Sequence, residues 1–235
     1  MPLMLKVSSE AVARLTHATC SDFARELLRW WSARFPWFVE LLHSDAEVTA
    51  LHVIEEAASW GYLRKGEIMR YSVGYIFFGS RFADNPLHEN LMERCYWRAA
   101  VAPCLKVARV LDHVDMLTWD GTFCEQRGCL MDIPDIADGP AASPSPSNVA
   151  TALQGIPARR FAHLDLDALE PFMERTLPML SACGVPDSWR LRGTFLGVFL
   201  GWNYVQSPAY AWLVAAMQRG DADTITRRLR GFART

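Results

Sequence analysis

No stretch of this chain approaches the roughly 20 consecutive apolar residues that a membrane-spanning helix needs. The opening Met-Pro-Leu-Met-Leu-Lys lacks the apolar run of a secretory signal, so a cytoplasmic protein with no membrane partner is expected. An excess of either charge is also missing. The 24 Lys and Arg stand against 26 Asp and Glu, which leaves no global electrostatic case for nucleic acid as a partner. The cysteines Cys20, Cys95, Cys104, Cys124, Cys129 and Cys183 show no framework spacing and read as buried thiols of a reducing compartment. A Gly-x-Ser-x-Gly elbow, a Walker loop and a Gly-x-Gly-x-x-Gly turn are all absent, so nothing points to catalysis and no cofactor is expected.

Two constellations come nearest to chemistry. Cys124 and Cys129, with Cys104 and His113 upstream, can be assembled into a zinc site only without a proper second ligand pair, and no metal is expected. Asp112, His113 and Asp115 resemble a carboxylate-oriented histidine, but on a helix His113 turns about 100° away from the two acids. They read as a polar face at a helix end.

What the chain does have is 51% hydrophobic residues over 235 positions, ample for a sizeable core, and a stretch written twice. Residues 70–86 recur without a gap as residues 192–208. Arg70, Phe77, Gly79 and Pro86 match Arg192, Phe199, Gly201 and Pro208, and Phe82 and Asn85 match Tyr204 and Ser207 in kind. Each copy reads as an apolar helix closed by a left-handed Gly, a loop carrying one aromatic residue, and a new helix with an N-cap side chain before Pro. Arg70 and Arg192 sit within the apolar arms. They are expected to be buried and to brace their hairpins, each worth about 2–4 kcal/mol.

Elsewhere, a helix from Ser8 or Ser9 buries Ala24, Leu27, Leu28, Trp31 and Phe35 and stops at Pro36. Phe38, Leu41 and Leu42 follow on a short helical turn. Ser44-Asp45-Ala46-Glu47 reads as a capping box opening a helix that buries Val48, Leu51 and Ile54 and ends at Gly61. Asp165 or Asp167 starts a helix over Leu169, Phe172, Met173, Leu177 and Leu180, with Pro178 expected to kink it, and Asp223 or Thr224 caps a final basic helix. A short hairpin is expected around Asp120 and Gly121. The run from 132 to 160 contains Pro134, Gly139-Pro140, Ser143-Pro144-Ser145-Pro146 and Gly155-Ile156-Pro157 and reads as a connection unable to sustain a helix. The expected fold is therefore all-α: a helical bundle of two similar helix-loop-helix halves, 1–131 and 161–235, joined by a long Pro/Ser-rich linker or packed as one domain.

Local charge and aromatic residues suggest where a partner binds. Asp112, Asp115, Asp120, Glu125, Asp132, Asp135 and Asp138 stand against a single base, Arg127. Trp37, Trp60, Trp119 and Trp202 fall at helix ends or in loops, as candidate partner-binding anchors. Arg70, Gly79, Phe82, Pro86 and their counterparts Arg192, Gly201, Tyr204, Pro208 read as architecture.

Gly61-Tyr62, Ile68, Arg70-Tyr71, Phe78-Gly79, Phe82 and Pro86 together resemble a pattern in small helical proteins encoded beside cargo genes of bacterial type VI secretion systems. The likeness covers about residues 45–95, with a weaker echo over 170–217. The pattern continues there as Pro-Trp-Ala, and here as Pro86-Leu87-His88. The resemblance implies protein binding, with no catalytic residues: an immunity protein neutralising a cognate effector, or an effector chaperone or adaptor that assists loading. For the first, the acidic segment would suit the basic substrate groove of a nuclease toxin. Self-association is left open.

Overall fold

The computed structural model describes residues 9–93, 106, 108–109, 111–112, 144–154 and 165–234, and among them all regular structure is helical. The fold is all-α. Helix α1 (Ser9–Arg34) ends where a residue preceding proline is pushed out of the helical region; Phe35 has φ −135° and ψ 57°. Pro36 then opens α2 (Pro36–Leu42), which buries Phe38, Leu41 and Leu42. Of the stripe expected on α1, Ala24, Leu27 and Trp31 are fully buried, while Leu28 and Phe35 pack at the core's margin.

Helix α3 (Ala46–Ser59) runs on from a 3-10 turn at His43–Asp45 with no side-chain cap. The capping box expected at Ser44 is therefore corrected: Ser44 is exposed, α3 begins after Asp45, and no side chain caps it. Of the face expected to be buried, Ile54 is buried, Leu51 packs at the core's margin and Val48 is 56% exposed. Thr49, Ala50, Val53, Glu56 and Ala57 also point inward, so the core takes in the carboxylate of Glu56. Gly61, at φ +85°, turns the chain into α4 (Lys65–Phe78), whose first turn is held by the Arg64 amide donating to Glu67 Oε2.

After α4 come 3-10 turns at Phe82–Asp84 and Pro86–His88 and the short α5 (Glu89–Met92). Helix α6 (Pro146–Gln154) lies within the run expected to be a connection. At Pro146–Gln154 this corrects the expectation that the run cannot sustain a helix. Ser145 Oγ accepts from the Asn148 amide with Pro146 at the first helical position, and Val149 and Leu153 are buried against α7 and α8. Each such side chain contributes about 1.5–3 kcal/mol, which makes α6 part of the core rather than a tether.

A 3-10 turn at Leu166–Ala168, capped by Asp165, leads into α7 (Leu169–Ala182), which contains Pro178. Then follow α8 (Asp187–Leu200), 3-10 turns at Tyr204–Gln206 and Pro208–Tyr210, α9 (Ala211–Arg219) and α10 (Ala222–Arg234). The cap of α10 is Asp221, whose Oδ1 accepts from the Thr224 amide, and not Asp223 or Thr224. The order α3, α4, turn, turn thus recurs as α7, α8, turn, turn. Asn85 accepts from the Leu87 amide and Ser207 from the Ala209 amide, each just ahead of a proline. Those prolines open 3-10 turns rather than the α-helices expected there.

The two series interlock. Helix α3 packs on the Pro208–Tyr210 turn, and α7 packs on the Pro86–His88 turn. The ends of α4 and α8 meet at their glycines: a Cβ on Gly79 would fall 2.0 Å from the Leu200 carbonyl oxygen, and one on Gly201 would fall 2.7 Å from that of Phe78. Side chains at either position would force the helix ends apart. Tyr75 and Ser207, both buried, share a hydrogen bond of 2.5 Å across the junction.

Candidate binding cleft

Where the two post-glycine loops meet, they leave a cleft of about 620 Å³ against the outer end of α3. His52, Glu55, Glu56 and Ser59 line it from α3, Trp60 from the residue that ends that helix, Arg81 from the first loop, and Asn203 and Gln206 from the second. The spacing of 52, 55, 56 and 59 places these residues on one helical face.

Glu56 is the organising group. Its Oε1 accepts from Tyr71 Oη (2.6 Å) and from the Arg81 amide (2.8 Å), and its Oε2 accepts from Ser80 Oγ (2.5 Å) and faces His52 Nε2 at 3.3 Å. A buried carboxylate must be compensated, and these four donors compensate it. Burial pushes its pKa up, but the hydrogen bonds from His52, Ser80, Tyr71 and the Arg81 backbone outweigh it and hold the carboxyl below its ordinary value. Arg81, whose amide serves Glu56, has a left-handed backbone at φ +54°, a conformation costly for a non-glycine residue. The Arg81 guanidinium is turned onto Asp84, at 2.6 and 3.2 Å, with its carbon 5.8 Å from the Trp202 ring. Arg175 also lies over Trp202, at 5.6 Å, and donates to the Asp84 carbonyl.

Serine, histidine and carboxylate converge here, but not as a nucleophile relay. One ring nitrogen, His52 Nε2, faces both Ser80 Oγ (3.5 Å) and Glu56. The Ser80 proton is committed to Glu56, and Ser80 is fully buried. A relay needs the base between nucleophile and carboxylate, with the hydroxyl open to substrate. Among the described residues no group of three or more His, Cys, Asp and Glu is placed to hold a metal ion. No helix of the described residues is long and apolar enough to cross a membrane.

The residues singled out by sequence separate. Gly79 and Gly201 form the junction under the cleft, and Phe82 and Tyr204 are fully buried beneath their loops. Pro86 is buried and Pro208 half-buried. Arg192 is buried with its guanidinium 4.2 Å from the Trp189 ring. Arg70 is exposed, which corrects its expected burial: α4 turns that position outward while Tyr71, Ser72 and Val73 face in. Trp60 is half-buried on the cleft lining and Trp202 is half-buried beside Arg81 and Arg175, whereas Trp37 packs edge-on against Phe35, Phe38 and Phe77. Asp112 is helical and exposed. Asp115, Trp119, Asp120, Glu125, Asp132, Asp135 and Asp138 lie outside the described residues, as do His113, Cys104, Cys124, Cys129 and the hairpin expected at Asp120-Gly121.

His52, Glu55, Glu56, Ser80, Arg81 and Asn203 were not anticipated as a site. The sequence did carry one signal: Thr49, Val53 and Glu56 share helical spacing with Ala50 and Ala57, so a carboxylate sits in an otherwise small and apolar stripe. These features define an all-α protein with a preformed polar cleft at the meeting point of two similar loops. Among family models, curated proteins and solved structures, none matches the chain.

Proposed function

We propose that this is an immunity protein that binds and neutralises a cognate type VI secretion effector. The observation that carries the reading is the cleft's position: His52 and Glu56 on α3, Trp60 at its end and Arg81 on the following loop belong to the stretch, about 45–95, that resembles those proteins. The cleft offers Trp and Arg, the residue types on which protein interfaces concentrate binding energy. Its buried carboxylate network fixes the walls before any partner arrives, which lowers the cost of association. Among the described residues the hydroxyls on Glu56 are those of Tyr71 and Ser80, and both residues are fully buried, so the arrangement favours binding over turnover.

Co-expression tests the proposal. A toxin encoded beside this gene should be neutralised by the wild-type protein, and persistence of full toxicity overturns the immunity reading. An effector chaperone or adaptor, the second reading drawn from the same resemblance, would leave toxicity unchanged and be needed for delivery instead. Loss of the gene then abolishes secretion of the effector without self-intoxication.

A further inference from the structure

We propose that the cleft is a guanidinium-binding site that takes an arginine side chain of the partner protein. That the guanidinium belongs to a protein rests on the binding reading above; the preference of the cleft for the cation does not. Acceptors are left over on the cleft wall. Asn203 is 4% exposed and lines the cleft, its Nδ2 is used on Ser80 Oγ, and its Oδ1 receives no hydrogen bond. A buried acceptor left this way is costly until a donor fills it. Glu55 is exposed on the same wall and has no ion-pair partner among the described residues. Ser59 Oγ donates to the Glu56 carbonyl and keeps its lone pairs for an incoming donor.

The charge balance points the same way. Glu56 is engaged by four donors, and its negative charge remains on the lining. Arg81, the cation on the lining, is folded onto Asp84. Trp60 lies on the lining, and an indole is a residue type on which a planar cation stacks. A guanidinium, with five donors in a rigid fork and a face that stacks on aromatic rings, matches such a wall better than a compact ammonium does.

The test uses the intact protein and Nα-acetylarginine amide, followed by calorimetry and by the Trp60 indole resonance. Saturable binding is expected, with Nα-acetylcitrulline amide, the neutral isostere, about tenfold weaker. Glu55→Gln should lose about the same factor, whereas Glu47→Gln, which removes an exposed carboxylate from the first turn of the same helix, should bind as wild type. Absence of saturable binding, equal binding of the citrulline compound, or equal losses in both variants overturns the proposal. Stronger binding of spermidine than of the arginine compound reassigns the cleft to a polyamine and overturns it too. Arginine binding lost in Glu55→Gln, in a protein that fails to neutralise its co-expressed toxin, keeps the cleft and removes the immunity reading. Protection without arginine binding does the reverse.

Discussion

Glu56 accepts four hydrogen bonds where water has little access, so a substitution that keeps its shape isolates its charge. Glu56→Gln places an amide against two of those donors and should destabilise the protein by about 3 kcal/mol in urea denaturation. The pH dependence follows from the lowered folded pKa. Stabilisation by the charged carboxylate is fully present above the unfolded value of 4.5 and is lost as pH falls through the lower folded value. The difference between wild type and Glu56→Gln should therefore be constant at neutral pH and narrow below 4.5. A difference that widens on acidification contradicts the network. The two arginines of the repeat divide in the same way. Arg192→Ala removes a buried stem and a cation over Trp189 at 4.2 Å and should cost about 1–3 kcal/mol. Arg70→Ala, at an exposed position, should stay within about 0.5 kcal/mol. The alignment could not separate them, because residue identity at matched positions says nothing about which way each helix is rotated in the core.

At the scale of elements, most helix ends could be read from local chemistry. Pro36, Gly61, Asp165 and Gly220 punctuate the chain where they stand in the sequence, since a missing amide, a positive φ or a capping oxygen acts locally. Errors arose where a competing local signal won. Ser145-Pro146 opens α6 by the same cap-and-proline chemistry as Ser207-Pro208 opens its turn, but the surrounding prolines suggested a connection without a helix. The burial of Glu56 on α3 was not legible because it depends on donors from Tyr71, Ser80 and Arg81, which are distant in sequence. The junction of α4 and α8 provides the sharpest test of an element. Gly79→Ala combines φ +85° with a Cβ 2.0 Å from the Leu200 oxygen. It should cost more than about 4 kcal/mol or prevent folding. Gly66→Ala, in the first turns of the same helix with nothing within 4 Å, should instead stabilise by about 0.4–1 kcal/mol. Comparable thermal melts for the two variants would show that the close approach is not what the first glycine is for.

For the whole molecule, the duplicated stretch was visible in the sequence, but its use was not. Matched Gly and Pro positions specify two similar turns; they do not specify that each turn is covered by the helix preceding the other copy. That crossing leaves α3 and α4 without a complete core unless the Pro208–Tyr210 turn is in place. It also leaves the cleft without Asn203 and Gln206 unless the second loop docks. The fold and the site should accordingly be lost in one step. Tyr75 and Ser207 report on this docking directly, since they share a hydrogen bond across the junction and burial raises the Tyr75 hydroxyl well above its ordinary pKa. A double-mutant cycle with Tyr75→Phe and Ser207→Ala should give a coupling of about 0.5–1.5 kcal/mol, because the second substitution removes a bond the first has already broken. In all four proteins, tryptophan fluorescence and far-UV circular dichroism should trace the same urea transition. Zero coupling combined with separate transitions would mean that the copies dock loosely, and a cleft built at their meeting point could not then be preformed.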